Sequence, residues 1–308
     1  MENRIFLNYR NVNLCLVKFS LYTEAINLTG NITVFSYLNE HPEENSFFAD
    51  WLASEDSYIE SADGMYKIHR RLNVKQNVDH PFSEIIPLIK KHHISPQRTA
   101  SLEKKKKILD KYAYGQYLDS QKLIPKTQKT QRGNLGEIIL GEYLEKVTSN
   151  KLFIYRLRYN PNIEQSMKGD DVLLLNDEAP FSKVYTGEAK FRTTPSQQVI
   201  EDICSEYGKD IVRPLSIGFT IELFYSMDKP EKAEILEELL ERLAKNEVQI
   251  INIGLLLSNH NAARHVDTHM KSKNKNFGII SLSINNPDQF ANTCYEKAFE
   301  TLEVSIDD

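Results

Sequence analysis

The sequence predicts an α/β protein: a mixed β-sheet flanked by helices, preceded by an N-terminal α+β region. Two observations carry this. From residue 126 to 308, short apolar runs of strand character alternate with amphipathic helical stretches, the pattern of a sheet covered by helices. From residue 1 to 125, β-type runs give way to a helical and basic stretch, which marks a separate N-terminal region. With 308 residues, 41% apolar and 26% charged, the chain suits one large soluble domain or two ordinary ones with a real core.

Each element follows from local pattern. "RIFLNYRNVNLCLVKF" and "NITVFSYL" read as β-type runs between polar breaks. From Pro81 to Leu118 the period turns helical, with Ser95–Pro96 as a helix start. Asp119–Asn134 is polar, basic and contains Pro and Gly, so a boundary or mobile linker is expected there. "GNLGEIILGEYLEKV" is predicted helical with Asn134 as its cap. "KLFIYRLRYN" is predicted as a strand closed by Asn160–Pro161. "DDVLLL" and "KVYTGEAKFR" are predicted to pair as a hairpin across the turn-rich Asn176–Ser182. A helix over "SQQVIEDICSEYGKD" and a strand over "LSIGFTIELF" follow. Next come a helix opened by Pro230, two buried-type strands, "VQIINIGLLLS" and "FGIISLSI", and a closing helix, "NPDQFANTCYEKAFETL".

Several function classes are disfavoured. No run of about 18 apolar residues exists, so no membrane-spanning helix is expected. The N-terminus lacks a signal-peptide pattern, which predicts a cytoplasmic protein. Cys15, Cys204 and Cys294 are widely spaced and predict buried free thiols rather than a zinc cluster or disulfides. Neither GxxxxGK[ST] nor GxGxxG occurs, so ATP hydrolysis by this chain is not expected, and no GxSxG elbow is present. The net charge of −5 argues against a basic coat, yet Lys90–Arg132 carries twelve Lys or Arg against three Asp or Glu. Such a block can hold a phosphate backbone, although a run like Leu102–Lys107 is ordinarily a solvated helix face. His260, His265 and His269 lie near Asp267, and His265 and His269 are spaced to share a helix face. Without an HExxH glutamate they read as surface histidines.

The hairpin holds the chemistry. An E-x-K triplet is weak alone, since about one or two arise by chance in a chain this long. Glu103–Lys104–Lys105 is a second match. Context favours Glu188 and Lys190. With Asn176–Lys183 as the connection, Leu173 faces Thr186 and Asp171 faces Glu188, with Cβ atoms about 5 Å apart. Lys190 shares the face of Glu188. A register slip would substitute Asp170 for Asp171. Two opposed carboxylates repel unless a cation lies between them, and Mg²⁺ or Mn²⁺ suits such oxygen donors. Glu137, one position off an apolar helical stripe, is either a dipole-complementing surface acid or a further carboxylate at the same site. Gln197 and Gln198, just after the E-x-K strand, are candidates to touch a phosphate or orient the lysine, or simply a solvated helix start.

The order "GNLGEIILGEYL … KGDDVLLL … YTGEAKFR" resembles the PD-(D/E)xK nuclease core over roughly Gly133 to Phe224, and specifically the HamA family of nuclease subunits in the Hachiman anti-phage system. The resemblance implies that Asp171, Glu188 and Lys190 are catalytic, that Glu137 is the helical acid, and that Asp171, Glu188 and Glu137 hold Mg²⁺ or Mn²⁺. It also implies DNA as substrate and a superfamily 2 helicase subunit, HamB-like, as partner. The proline of the superfamily name is absent, Asp170 standing before Asp171. The other reading is a catalytically silent nuclease-fold subunit that docks DNA or a partner.

Overall fold

The computed structural model describes residues 38–76, 81–109, 111–148, 150–165, 169–207, 214 and 216–303. The early β-type runs "RIFLNYRNVNLCLVKF" and nearly all of "NITVFSYL", with Cys15, lie outside these residues.

A short helix α1 (Phe47–Trp51) leads into strands β1 (Leu52–Glu60) and β2 (Tyr66–Val74). Helices α2 (Phe82–His93), α3 (Pro96–Ile108), α4 (Lys111–Gln121) and α5 (Gln128–Val147) follow. Then come β3 (Lys151–Leu152), a 3-10 turn (Arg156–Tyr159), β4 (Val172–Leu175) and β5 (Lys183–Phe191). The chain ends in α6 (Gln197–Tyr207), α7 (Ile217–Ser226), α8 (Pro230–Ala244), β6 (Gln249–Ser258), α9 (Ala262–His269), β7 (Phe277–Ser283) and α10 (Pro287–Glu303).

Among the described residues the strands form one seven-stranded sheet in the order β1-β2-β7-β6-β5-β4-β3. The strands β2, β7, β6 and β5 run parallel, while β1 and the pair β4 and β3 run antiparallel to their neighbours. This is the mixed α/β sheet the sequence predicts. The β1–β2 hairpin joins it through β7, so the sheet runs across the boundary expected near residue 125.

Alternation along the strands sorts the core into two faces. Ile251, Ile253, Leu255 and Leu257 of β6 pack with Tyr185, Ala189 and Phe191 of β5 under α5, α2 and α10. Residues of opposite parity meet other helices: Leu173, Leu175 and Val184 lie against α7 and α8, and Leu256 and Ile279 against α6 and α9. At roughly 25 cal/mol per Å² of apolar surface removed from water, this burial is the main favourable contribution to folding.

Four local expectations are corrected. "LSIGFTIELF" forms helix α7 rather than a strand. Its β-branched and aromatic content suggests a strand, but Ile217, Thr220, Ile221 and Phe224 are buried at the helical spacing, and that period decides. In "KLFIYRLRYN" only Lys151–Leu152 pairs as strand, and Arg156–Tyr159 coils into a 3-10 turn that buries Arg156. Helix α5 begins at Gln128, so Asn134 is a buried interior residue rather than its cap. Glu164 instead fixes the two residues that lead into the helix, accepting the Lys126 and Thr127 N–H groups at 2.7 and 2.9 Å. The expected linker therefore shrinks to residues 122–127, where Ile124 is buried. Finally, the histidines of the last third stand on or beside helix α9, which local pattern did not predict.

Candidate active site

Two elements meet at the open end of the β4–β5 hairpin, where the observed register pairs Leu173 with Thr186 and Val172 with Gly187, as predicted. Asp171 immediately precedes β4, and its N–H donates to the Gly187 carbonyl at 2.9 Å. Its Oδ2 accepts the Ala189 N–H at 2.8 Å, which holds the carboxylate beside the strand between Glu188 and Lys190. Lys190 Nζ donates to Glu188 Oε1 on the same face.

Glu137 arrives from α5, because two glycines let that helix lie close on β5. A Cβ at Gly187 would stand 2.8 Å from Leu140 Cδ2 and Val172 Cγ2, and one at Gly136 would stand 3.2 Å from Ala189 Cβ. The close approach carries the next residue, Glu137, to the end of the hairpin. Its side chain is buried, and Oε2 has no hydrogen-bond partner.

The electrostatics follow from that crowding. Burial, reinforced by the Glu188 charge, raises the Glu137 carboxyl to about 7 against the pull of Arg156, Asp171 and Lys190. Burial and the charges of Glu137 and Glu188 push Asp171 well above the usual carboxylate range, against the Ala189 N–H and Arg156. For Lys190, burial works against the ammonium, but the hydrogen bond and charge of Glu188, with Asp171, outweigh it and raise the pKa. Lys190 is therefore a cation at neutral pH.

The two adjacent aspartates have different tasks. Asp170 Oδ1 accepts from the Tyr207 hydroxyl at 3.2 Å, and Oδ2 accepts from Ser216 N and Oγ at 3.1 and 3.2 Å. Its side chain fastens the loop to the end of α6 and the start of α7. Asp171 is the aspartate grouped with Glu137 and Glu188. Arg156, which sequence reasoning did not single out, donates Nη1 to the Gly169 carbonyl at 3.2 Å and to the Asp170 carbonyl. It also lies 3.9 Å from Asp171 Oδ1. A cation embedded in the apolar run "LFIYRL" was the one local signal for it.

Other candidates fall elsewhere. Gln197 and Gln198 donate to Glu201 and Asp202 on their own helix. His265 and His269 place their rings 5.7 Å apart on α9, while Asp267 turns to His69 and Arg71. His92 contacts Glu142, and His93 the Tyr295 hydroxyl. Cys294 is buried and Cys204 half-buried, both as free thiols. Glu103–Lys104–Lys105 lies on helix α3, away from any strand pairing.

Asp171, Glu188 and Glu137 are hard oxygen donors of the kind Mg²⁺ or Mn²⁺ takes. Among the described residues, no group of three or more His, Cys, Asp or Glu is already gathered in metal-binding geometry. Mg²⁺ commonly takes one or two carboxylates and keeps several waters, so it does not require such a cage. The unpartnered Glu137 Oε2 beside two further acids is the acceptor such a cation would satisfy, and in this respect the residues fit.

The HamA family model matches residues 45–298, a span from just before α1 into α10 that contains Glu137, Asp171, Glu188 and Lys190. The Hachiman protein HamA of Bacillus cereus is 39% identical over 267 residues, which cover 86% of this chain and 95% of that protein. Matched over most of its length by both, this chain belongs to the HamA family.

Proposed function

We propose that the chain is a Mg²⁺- or Mn²⁺-dependent deoxyribonuclease with a PD-(D/E)xK core, acting with a HamB-like superfamily 2 helicase in Hachiman anti-phage defence. The observation that carries this reading is the meeting of Glu137, Asp171, Glu188 and Lys190 at one hairpin end, two of the acids being pushed toward protonation by burial and then by neighbouring carboxylate charge. The site would bind its cation through Asp171 and Glu188, with Glu137 as the helical acid. When bound, the cation supplies Lewis acidity at the scissile phosphate and an acidified water.

The remaining chemistry belongs to the chain. The Lys190 ammonium stands where it can orient a nucleophilic water and offset charge developing on the phosphate. Asp171 is held through its own N–H and Oδ2, and its Oδ1 lies 3.9 Å from Arg156 Nη1. DNA affinity is assigned to the basic segment, and chiefly to α3. Lys91, Lys126 and Arg132 are paired with Glu142, Asp119 and Asp288. Lys104, Lys105 and Lys107 are exposed on α3. No helix among the described residues is long and apolar enough to cross a membrane.

The test is cleavage of linear and circular DNA with Mg²⁺, by the chain alone and with its helicase, for wild type, Glu188→Ala and Lys190→Ala. Loss in both variants supports the reading. Equal cutting by wild type and variants would sink the active-site assignment.

A further inference from the structure

We propose that Arg156 is a positioning residue for the reaction, clamping the Gly169–Asp170 backbone so that the Asp171 carboxylate is presented toward Glu188 and Glu137. This inference rests on the metal-dependent reading above and names a part of the site that the sequence motif does not include.

The argument begins with burial. Arg156 is 7% exposed, and a guanidinium so far from water is costly unless charge and hydrogen bonds compensate it. It sits on the 3-10 turn that replaces the expected strand, so the departure from extended backbone delivers it. Nη1 donates to the carbonyls of Gly169 and Asp170, two consecutive residues immediately before Asp171. At 3.9 Å from Asp171 Oδ1 it is an ion-pair neighbour rather than a direct hydrogen-bond donor, so that oxygen is not occupied by it.

The loop it grips needs gripping. Gly169 has φ of +104°, in the left-handed region, and a Cβ there would lie 3.5 Å from Ser216 backbone atoms. The loop is then held from three sides. Arg156 takes its carbonyls, the Asp170 carboxylate ties it to Tyr207 and Ser216, and the Asp171 N–H joins the Gly187 carbonyl. Two of these ties come from residues outside β4 and β5, and Arg156 is the one that also brings positive charge to the acids. Partners that orient a metal ligand in this way typically matter by about 10–100-fold in metal affinity or activity.

The experiment compares Arg156→Met, Arg156→Lys and Lys190→Ala in the full chain. Mn²⁺ binding without DNA is followed by electron paramagnetic resonance of the free ion, and DNA cleavage is resolved into kcat and KM. Arg156→Met should weaken Mn²⁺ binding about 10–100-fold and lower kcat at limiting metal, with KM for DNA unchanged. Arg156→Lys keeps the charge but not the fork, and should fall between wild type and Arg156→Met. Lys190→Ala should bind Mn²⁺ like wild type and fail to cut, which tests the nuclease reading separately. Wild-type Mn²⁺ affinity in Arg156→Met overturns the inference. So does a defect confined to KM with a shallower salt dependence, which would make Arg156 a phosphate contact. If Arg156→Met does not fold, Arg156→Lys decides, and wild-type Mn²⁺ affinity there overturns the inference. Absence of Mn²⁺ binding by the wild type overturns both readings.

Discussion

Two of this molecule's polar clusters are opposites. Where β2, β7 and α9 meet, His69 Nδ1 lies 2.7 Å from Asp267 Oδ1, and Nε2 lies 2.8 Å from Ser281 Oγ. Arg71 donates to both Asp267 oxygens and, at 2.6 Å, to Glu55. A serine, histidine and aspartate in series have the connectivity of a hydrolase triad. Yet Ser281 and His69 are fully buried in the sheet, the acid faces an arginine, and no substrate could reach the hydroxyl. At the hairpin end, by contrast, Glu137, Asp171 and Glu188 crowd one another, and a buried oxygen of Glu137 is unpartnered. The difference teaches that residue types alone do not mark chemistry. A satisfied network stiffens a fold, whereas acids held together without full compensation are poised to take a ligand.

The strongest way to break this contrast is catalytic. Glu188→Ala or Lys190→Ala should lower the cleavage rate by about 10²–10³-fold or more, as should chelation of the metal by EDTA. Ser281→Ala should cut at the wild-type rate per folded molecule. Loss of cutting in Ser281→Ala with activity intact in Glu188→Ala would reverse the assignment of the two clusters.

The next effect is acid lability of the histidine network. Burial lowers the pKa of His69 against the favourable Asp267 contact, lowers that of His92 against Glu142, and pushes His93 to about 3. In the unfolded chain these imidazoles bind a proton below the ordinary value near 6.5, while the folded protein resists until lower pH. Unfolding therefore takes up protons, and stability present above pH 6.5 falls as pH drops toward 3. For His93 alone this amounts to at most roughly 5 kcal/mol. Chemical denaturation at stepped pH values should show the decline, and a flat profile between pH 7 and 4 would contradict it.

The carboxylate cluster should show the reverse dependence. Glu137 has a raised pKa, so its contribution to stability is present at low pH and is lost as pH rises through about 7. Glu137→Gln removes that dependence, and should be more stable than wild type at pH 8 by about 1–3 kcal/mol while cutting more slowly. Thermal melts at pH 5 and pH 8 check this, and Mg²⁺ should stabilise wild type more than the variant. The smallest effect concerns α3. Replacing Lys104, Lys105 and Lys107 with Gln should weaken DNA binding without changing kcat. The slope of log affinity against log salt should fall by about 0.7–0.9 for each phosphate that the variant no longer neutralises. An unchanged slope would remove α3 from the DNA surface.

What the sequence made legible was governed by local periodicity. Alternation along "YTGEAKFR" and the turn residues of Asn176–Ser182 sufficed to place Leu173 opposite Thr186, and with it Asp171 beside Glu188. The choice between Asp170 and Asp171 was not local. It depends on Tyr207 and Ser216, which claim Asp170 from far along the chain. The start of α5 was hidden in the same way, because Glu164 holds the two residues that lead into it from the far side of a loop. Helix α7 was misread because a short apolar run fits both periods, and only its packing against α8 selects one. Arg156 was missed because its partners are backbone carbonyls, which carry no sequence signature.

Gly187 has a mechanical consequence beyond the chemistry. It sets the thickness of the layer between helix and sheet, since a methyl group there would press on Leu140, Val172 and the Ile253 carbonyl at once. Alanine at this position would leave Glu188 and Lys190 on β5 and Asp171 at the mouth of β4 while wedging α5 outward and drawing Glu137 back. Position 187, which bears no functional group, thus works as a spacer gauge: it decides whether the helical acid is within reach of the other three residues.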